Sequence, residues 1–117
     1  MMKGLTPALD AICKERAAQM HKWGEQNHPD GTGGAFAEQR AEQAKQRTDV
    51  NARHGVLTWE AILYEEVAEA FAETDPQLLR AELIQVAAVA VAWVEAIDRR
   101  TCEHGVARGE YCGDNHG

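Results

Sequence analysis

The segment from Thr74 to Arg99 constrains the fold more than any other part of the sequence. Thr74-Asp75-Pro76 breaks the chain and restarts it, with Asp75 suited to an N-cap and Pro76 to a first helical position. The residues that follow are rich in Ala and Val, and their apolar positions recur at helical spacing to about Arg99. Within them, Leu83 to Val94 is the longest apolar stretch; it contains Gln85 and lies between Glu82 and Glu95. It is too short for a membrane span and reads as a buried helix. Leu78, Leu79, Val86, Val89, Trp93 and Ile97 occupy about 100° of its circumference, with Ile84, Val91 and Val94 outside that arc. A helix apolar on most sides is covered on more than one. In a chain of 117 residues this favours a subunit interface, and the expected partner is a second copy.

Three more helical patterns precede it, and no strand pattern is convincing. Thr6-Pro7 opens the first, which runs to about Lys22 with Leu9, Ile12, Cys13, Ala17 and Met20 on one face. The loop His28-Pro29-Asp30-Gly31-Thr32-Gly33-Gly34 follows. It lacks the Gly-Lys-Ser/Thr ending of a phosphate loop and reads as a flexible linker. The apolar content of the second pattern, about Ala35 to Arg53, is mostly alanine, with Phe36 and Val50 as its larger apolar residues. The third starts at the N-cap Thr58 and reaches about Glu73, so that the third and fourth form an αα-hairpin across a very short turn. The fold class is therefore all-α, with a four-helix domain over residues 1–100 and an irregular tail over residues 101–117.

Composition narrows the function. The formal charge of −7 argues against nucleic-acid binding, which needs a basic footprint, and suits carboxylates that hold cations. With no serine in the chain, every serine-nucleophile mechanism is excluded. Cys13, Cys102 and Cys112 are an odd number and no disulfide scaffold, and no apolar signal run opens the sequence. Both features favour a reducing cytoplasm.

Some acids stand where apolar residues belong. Advancing about 100° per residue from Trp59 puts Ile62, Leu63, Val67 and Ala70 between about −60° and +80°. Glu66 falls near −20°, Glu73 near −40° and Glu69 near −80° on the same wheel. Glu82 sits in the middle of the apolar arc of the fourth helix, and Gln85 lies at its edge. Carboxylates in an apolar stripe are costly unless compensated. Bases from another helix could compensate them, but Arg80, Arg99 and Arg100 are the only ones from Trp59 to Arg100. The alternative is a divalent cation, since carboxylates at i and i+3 on facing helices can converge on one ion.

These residues carry a resemblance. Glu65-Glu66-Val67-Ala68-Glu69 followed by Glu82-Leu83-Ile84-Gln85 resembles the E-E-x-x-E … E-x-x-D signature of the MazG-like, all-α nucleoside triphosphate pyrophosphohydrolases. Lys22-Trp23-Gly24-Glu25-Gln26, His28-Pro29-Asp30-Gly31 and Leu57-Thr58-Trp59 look like the short stand-alone members of bacteria and phages. The likeness covers about Leu5 to Arg100. It implies a four-helix antiparallel bundle completed as a homodimer or homotetramer. It also implies Mg²⁺-dependent cleavage, with Mn²⁺ as a substitute, of a (d)NTP to the monophosphate and pyrophosphate. Carried over, Glu66, Glu69 and Glu82 are metal ligands, and Glu65 orients the metal-bound water or acts as its base, with Glu65 and Glu69 the catalytic pair. The fourth motif position, normally Asp, is Gln85, a neutral ligand that Glu73 could supplement.

A triphosphate carries about four negative charges and needs cations beside it. Lys22, Arg80, Arg40 and Arg47 are candidates for the pyrophosphate end, and Trp23 for stacking on the base. Cys102, His104, Cys112 and His116 in the tail suit a tetrahedral Zn²⁺ site. Two other functions compete with hydrolysis. One is a nucleotide- or metal-binding regulator on the same fold, slowed by Gln85. The other is an interaction protein whose acids pair across an oligomer interface.

Overall fold

The computed structural model describes residues 6–103 of the chain, with side chains through residue 101. Those residues form four helices and no strand: α1 (Pro7–Trp23), α2 (Ala37–Arg53), α3 (Trp59–Ala72) and α4 (Pro76–Glu103). The protein is all-α.

Three helices start where their caps require. Thr6 Oγ1 accepts from Leu9 N–H at 3.2 Å, Thr58 Oγ1 from Ala61 N–H at 3.1 Å, and Asp75 Oδ2 from Leu78 N–H at 3.1 Å. Each satisfies an amide that has no partner within its own helix. α2 is the exception. It begins at Ala37, two residues later than the sequence suggests, because Phe36 adopts the left-handed conformation at φ 67° and gives no side-chain cap. Phe36 is therefore an exposed loop residue and not part of the face of α2.

The chain divides into two compact units. The second, Pro29–Ala90, holds α2, α3 and the first half of α4. Its tightest helix pairing is α2 against α3. The contact is built from small residues: Ala37 and Ala44 on α2 and Ala61 and Ala68 on α3 are all buried. Small side chains let the backbones approach, and Thr48 Oγ1 donates to Ala61 C=O across the pair at 3.4 Å. The abundance of alanine in α2 thus marks a packing face. Ala61 is only 1% exposed, so Ala61→Leu must push the helices apart. We expect a loss of about 1–3 kcal/mol, read by urea denaturation; unchanged stability would place Ala61 outside the contact. The backbones of α3 and α4 do not approach as closely.

The loop after Pro29 is pinned rather than free. Gly33 N–H donates to Phe71 C=O at 2.8 Å, and Gly33 has φ 78°. A Cβ there would run into the Thr74 side chain, so the site needs glycine both for its backbone angle and for space.

The first unit comprises residues 6–28 and 91–103 among those described, and Thr6 Oγ1 donates to Glu95 Oε2 within it at 2.9 Å. The expected apolar face of α1 finds little cover there. Ala8 is its buried residue, whereas Ile12, Cys13 and Met20 are exposed. α4 is likewise open in the single chain. Its buried large residue is Leu79, and Leu78, Leu83, Ile84, Val94 and Ile97 are exposed. Periodicity defines an apolar face, but one chain of this size does not supply enough surface to cover it.

Candidate metal centre

α3 presents Glu65, Glu66 and Glu69 within little more than one turn, and α4 presents Glu82. Glu66, Glu69 and Glu82 each offer an oxygen, and the three atoms lie within 4.8 Å of one another. Two oxygens on opposite sides of a Mg²⁺ ion are about 4.2 Å apart, from bonds of about 2.1 Å, so a small side-chain closure would complete the set. Oε1 of Glu66 and Oε1 of Glu82 are buried and lack a hydrogen-bond partner. Buried acceptors without a donor are costly, and a hard cation is one species that would satisfy both. The residues present therefore fit a divalent cation with oxygen ligands.

The electrostatics agree with the geometry. Burial raises the carboxyl pKa of Glu66, and the charges of Glu82 and Glu65 raise it further. Glu69 is pushed up to about 7, first by burial, then by a hydrogen bond with Glu65, then by the charges of Glu66, Glu65 and Glu82. Like charges held together resist ionisation until a cation offsets them.

The other candidate residues are placed differently. Gln85 is exposed, one turn beyond Glu82 on α4. Glu73 is the C-cap of α3 and is not among the three acids whose oxygens converge. Arg80 lies about 200° round α4 from Glu82 and lines an outer groove with Asp30, Leu83 and Ile84, away from the acids. Arg47 is committed to α3: it pairs with Glu60, and its guanidinium stands 6.0 Å from the Tyr64 ring centre. Glu60 was the residue whose role as anchor for Arg47 the sequence did not show, because the pairing depends on how α2 docks. Lys22 and Trp23 belong to the first unit, where the Lys22 ammonium stands 4.7 Å from the Trp23 ring centre and Trp23 is 54% exposed. The zinc site expected of Cys102, His104, Cys112 and His116 lies outside the residues whose side chains are described.

Compared with known proteins, the chain matches no family model, no curated protein and no solved structure at a significant level. The likeness to MazG-like enzymes therefore rests on the motif residues.

Proposed function

We propose that the protein is a divalent-cation-dependent nucleoside triphosphate pyrophosphohydrolase that converts a (d)NTP to the monophosphate and pyrophosphate. The observation that carries the reading is the convergence of Glu66, Glu69 and Glu82, with two of their buried oxygens unpartnered. Those three carboxylates would hold Mg²⁺ or Mn²⁺. When bound, such an ion supplies charge neutralisation of the phosphates and a water acidified for attack. Glu65, one turn before Glu69 on α3, would be the acid that accepts a proton beside the bound ion. The acids also repel an uncompensated triphosphate, so the site selects the cation complex of the nucleotide over the free anion.

One observation favours a second reading. Gln85 brings no charge where the family motif has Asp, which suits a protein that binds nucleotide and cation but turns over slowly. Pyrophosphate release across a panel of (d)NTPs, with Mg²⁺ or Mn²⁺ and then with a chelator, separates the two. The enzyme releases pyrophosphate from at least one nucleotide only when the cation is present. Saturable cation binding without release supports the regulator. Absence of both defeats the metal site itself.

The proposed location is the cytoplasm. Pro76–Thr101 is long and apolar enough to cross a membrane by length and composition. Yet the uncharged run between Glu82 and Glu95 spans only about 18 Å as helix, short of the about 30 Å hydrocarbon core.

A further inference from the structure

The second compact unit, which holds Glu66, Glu69 and Glu82, also contains a cavity of about 460 Å³. Small-molecule sites commonly measure about 300–1,000 Å³, so a ligand has room there. Gly34 in the loop, Phe36 before α2, Glu38 and Gln39 in its first turn, and Ala72 at the end of α3 line it. Ala72 follows Glu69 by three residues, which sets it about 4.5 Å further along α3 and about 60° round it. Glu65 lies within about 20° of Ala72 on the same helix. The cavity and the converging carboxylates thus stand about one turn apart on one side of α3.

Neither backbone preference nor burial accounts for Phe36. Its φ is 67°, a conformation that glycine or asparagine adopts readily and a bulky side chain resists. At 69% exposed, it is not repaid by the core either. What the conformation achieves is an aromatic side chain at the wall of the cavity. Strained residues of this kind concentrate where a ligand is held. Charge then decides which part of a nucleotide fits. The lining carries one carboxylate, Glu38, and no basic residue among those described, so a phosphate chain is repelled there. An uncharged heterocycle is not. Its face stacks on an aromatic ring, and its edge exchanges hydrogen bonds with the Glu38 carboxylate and the Gln39 amide. Neither of those side chains makes a hydrogen bond or ion pair among the described residues.

We infer that this cavity receives the base of the nucleotide, stacked on Phe36, while the phosphates meet the cation at Glu66, Glu69 and Glu82. The inference rests on the proposed reading of that centre as one for a nucleotide and its cation. It adds the residues that distinguish a nucleotide from a bare triphosphate: Phe36 for the face of the base, Glu38 and Gln39 for its edge. Gly34 keeps the mouth of the cavity clear, since a Cβ there would meet nothing within 4 Å and its backbone is not left-handed. A larger side chain at Gly34 is therefore compatible with the loop and would occupy the space meant for the base.

The test is calorimetric titration in excess Mn²⁺, and again with a chelator, with circular dichroism in parallel. The probes are α,β-imido nucleoside triphosphates, which resist cleavage between the α and β phosphorus atoms, and inorganic tripolyphosphate, which has no base. The wild type is expected to bind at least one nucleotide about tenfold or more tighter than tripolyphosphate, the scale of one base stacked on an aromatic ring. Phe36→Ala and Gly34→Leu should each remove that advantage, and Phe36→Trp should keep it. Affinity for Mn²⁺ and for tripolyphosphate should stay within about twofold of the wild type in all three. Saturable Mn²⁺ binding with no preference for any nucleotide over tripolyphosphate would overturn the base subsite and leave the metal site standing. Nucleotide binding that needs no Mn²⁺ and is lost in Phe36→Ala would support the subsite and overturn the metal site. Nucleotide affinity unchanged in Phe36→Ala and Gly34→Leu would overturn the inference, as would the absence of nucleotide binding with and without Mn²⁺.

Discussion

Glu66→Gln is expected to reduce cation-dependent pyrophosphate release by about a hundredfold or more, and to leave the fold intact. Changes to groups that merely support metal ligands already cost about 10–100-fold, so removing a ligand's charge should cost at least that. The amide keeps the shape of the side chain and can donate a hydrogen bond. It also removes a charge that burial and the neighbouring acids Glu82 and Glu65 disfavour. In the metal-free protein the substitution should therefore preserve or raise the melting temperature. That combination separates a metal ligand from a structural acid. If Glu66 were held by a base and served the fold, Glu66→Gln would lower stability and spare turnover. Measuring both in one preparation distinguishes the two cases.

The second large effect is a pH dependence centred on Glu69. Its carboxyl pKa is raised from 4.5 to about 7 in the folded chain. Between those values the folded state binds more protons than the unfolded state. The stability contributed by the protonated form is complete below about pH 4.5 and is lost as pH rises through about 7. Metal-free protein should thus become less stable across that window and level off above it. A bound cation favours the ionised carboxylate and should remove the loss. By the same linkage, cation affinity should climb as pH rises toward about 7, by up to about tenfold per unit where one proton is displaced. Calorimetric titrations in buffers of different ionisation enthalpy would reveal the released proton. Cation affinity that is flat from pH 5 to pH 8, to within about twofold, would place Glu69 outside the coordination shell.

The parts of the fold that depend on local chemistry were legible in the sequence. Thr6, Thr58 and Asp75 cap the helices they were expected to cap, because a side-chain oxygen needs only the next few amides as partners. The inward turn of Glu66, Glu69 and Glu82 was also legible, since a helix fixes angular position from residue number alone. Glu73 shares that angular position but is the last residue of the face, at the C-cap, and stays out of the converging set. Phe36 was hidden for a related reason: its left-handed backbone is imposed by the loop it closes. The contact of α2 with α3 escaped notice because it is made of alanines, which carry little apolar signal, and because it depends on two helices meeting. Burial of α1 was overestimated, since an apolar stripe shows that a helix has a face to cover but does not identify what covers it.

The central claim is that Glu66, Glu69 and Glu82 hold one divalent cation between α3 and α4. Its most direct measurement is a calorimetric titration of the 117-residue chain with Mn²⁺ at pH 7.5, repeated on Glu66→Gln and Glu82→Gln. One saturable site is expected in the wild type and its loss in both variants, with the helical signal unchanged. Wild type and variants that bind the ion with equal affinity, or no saturable binding in the wild type, would contradict it.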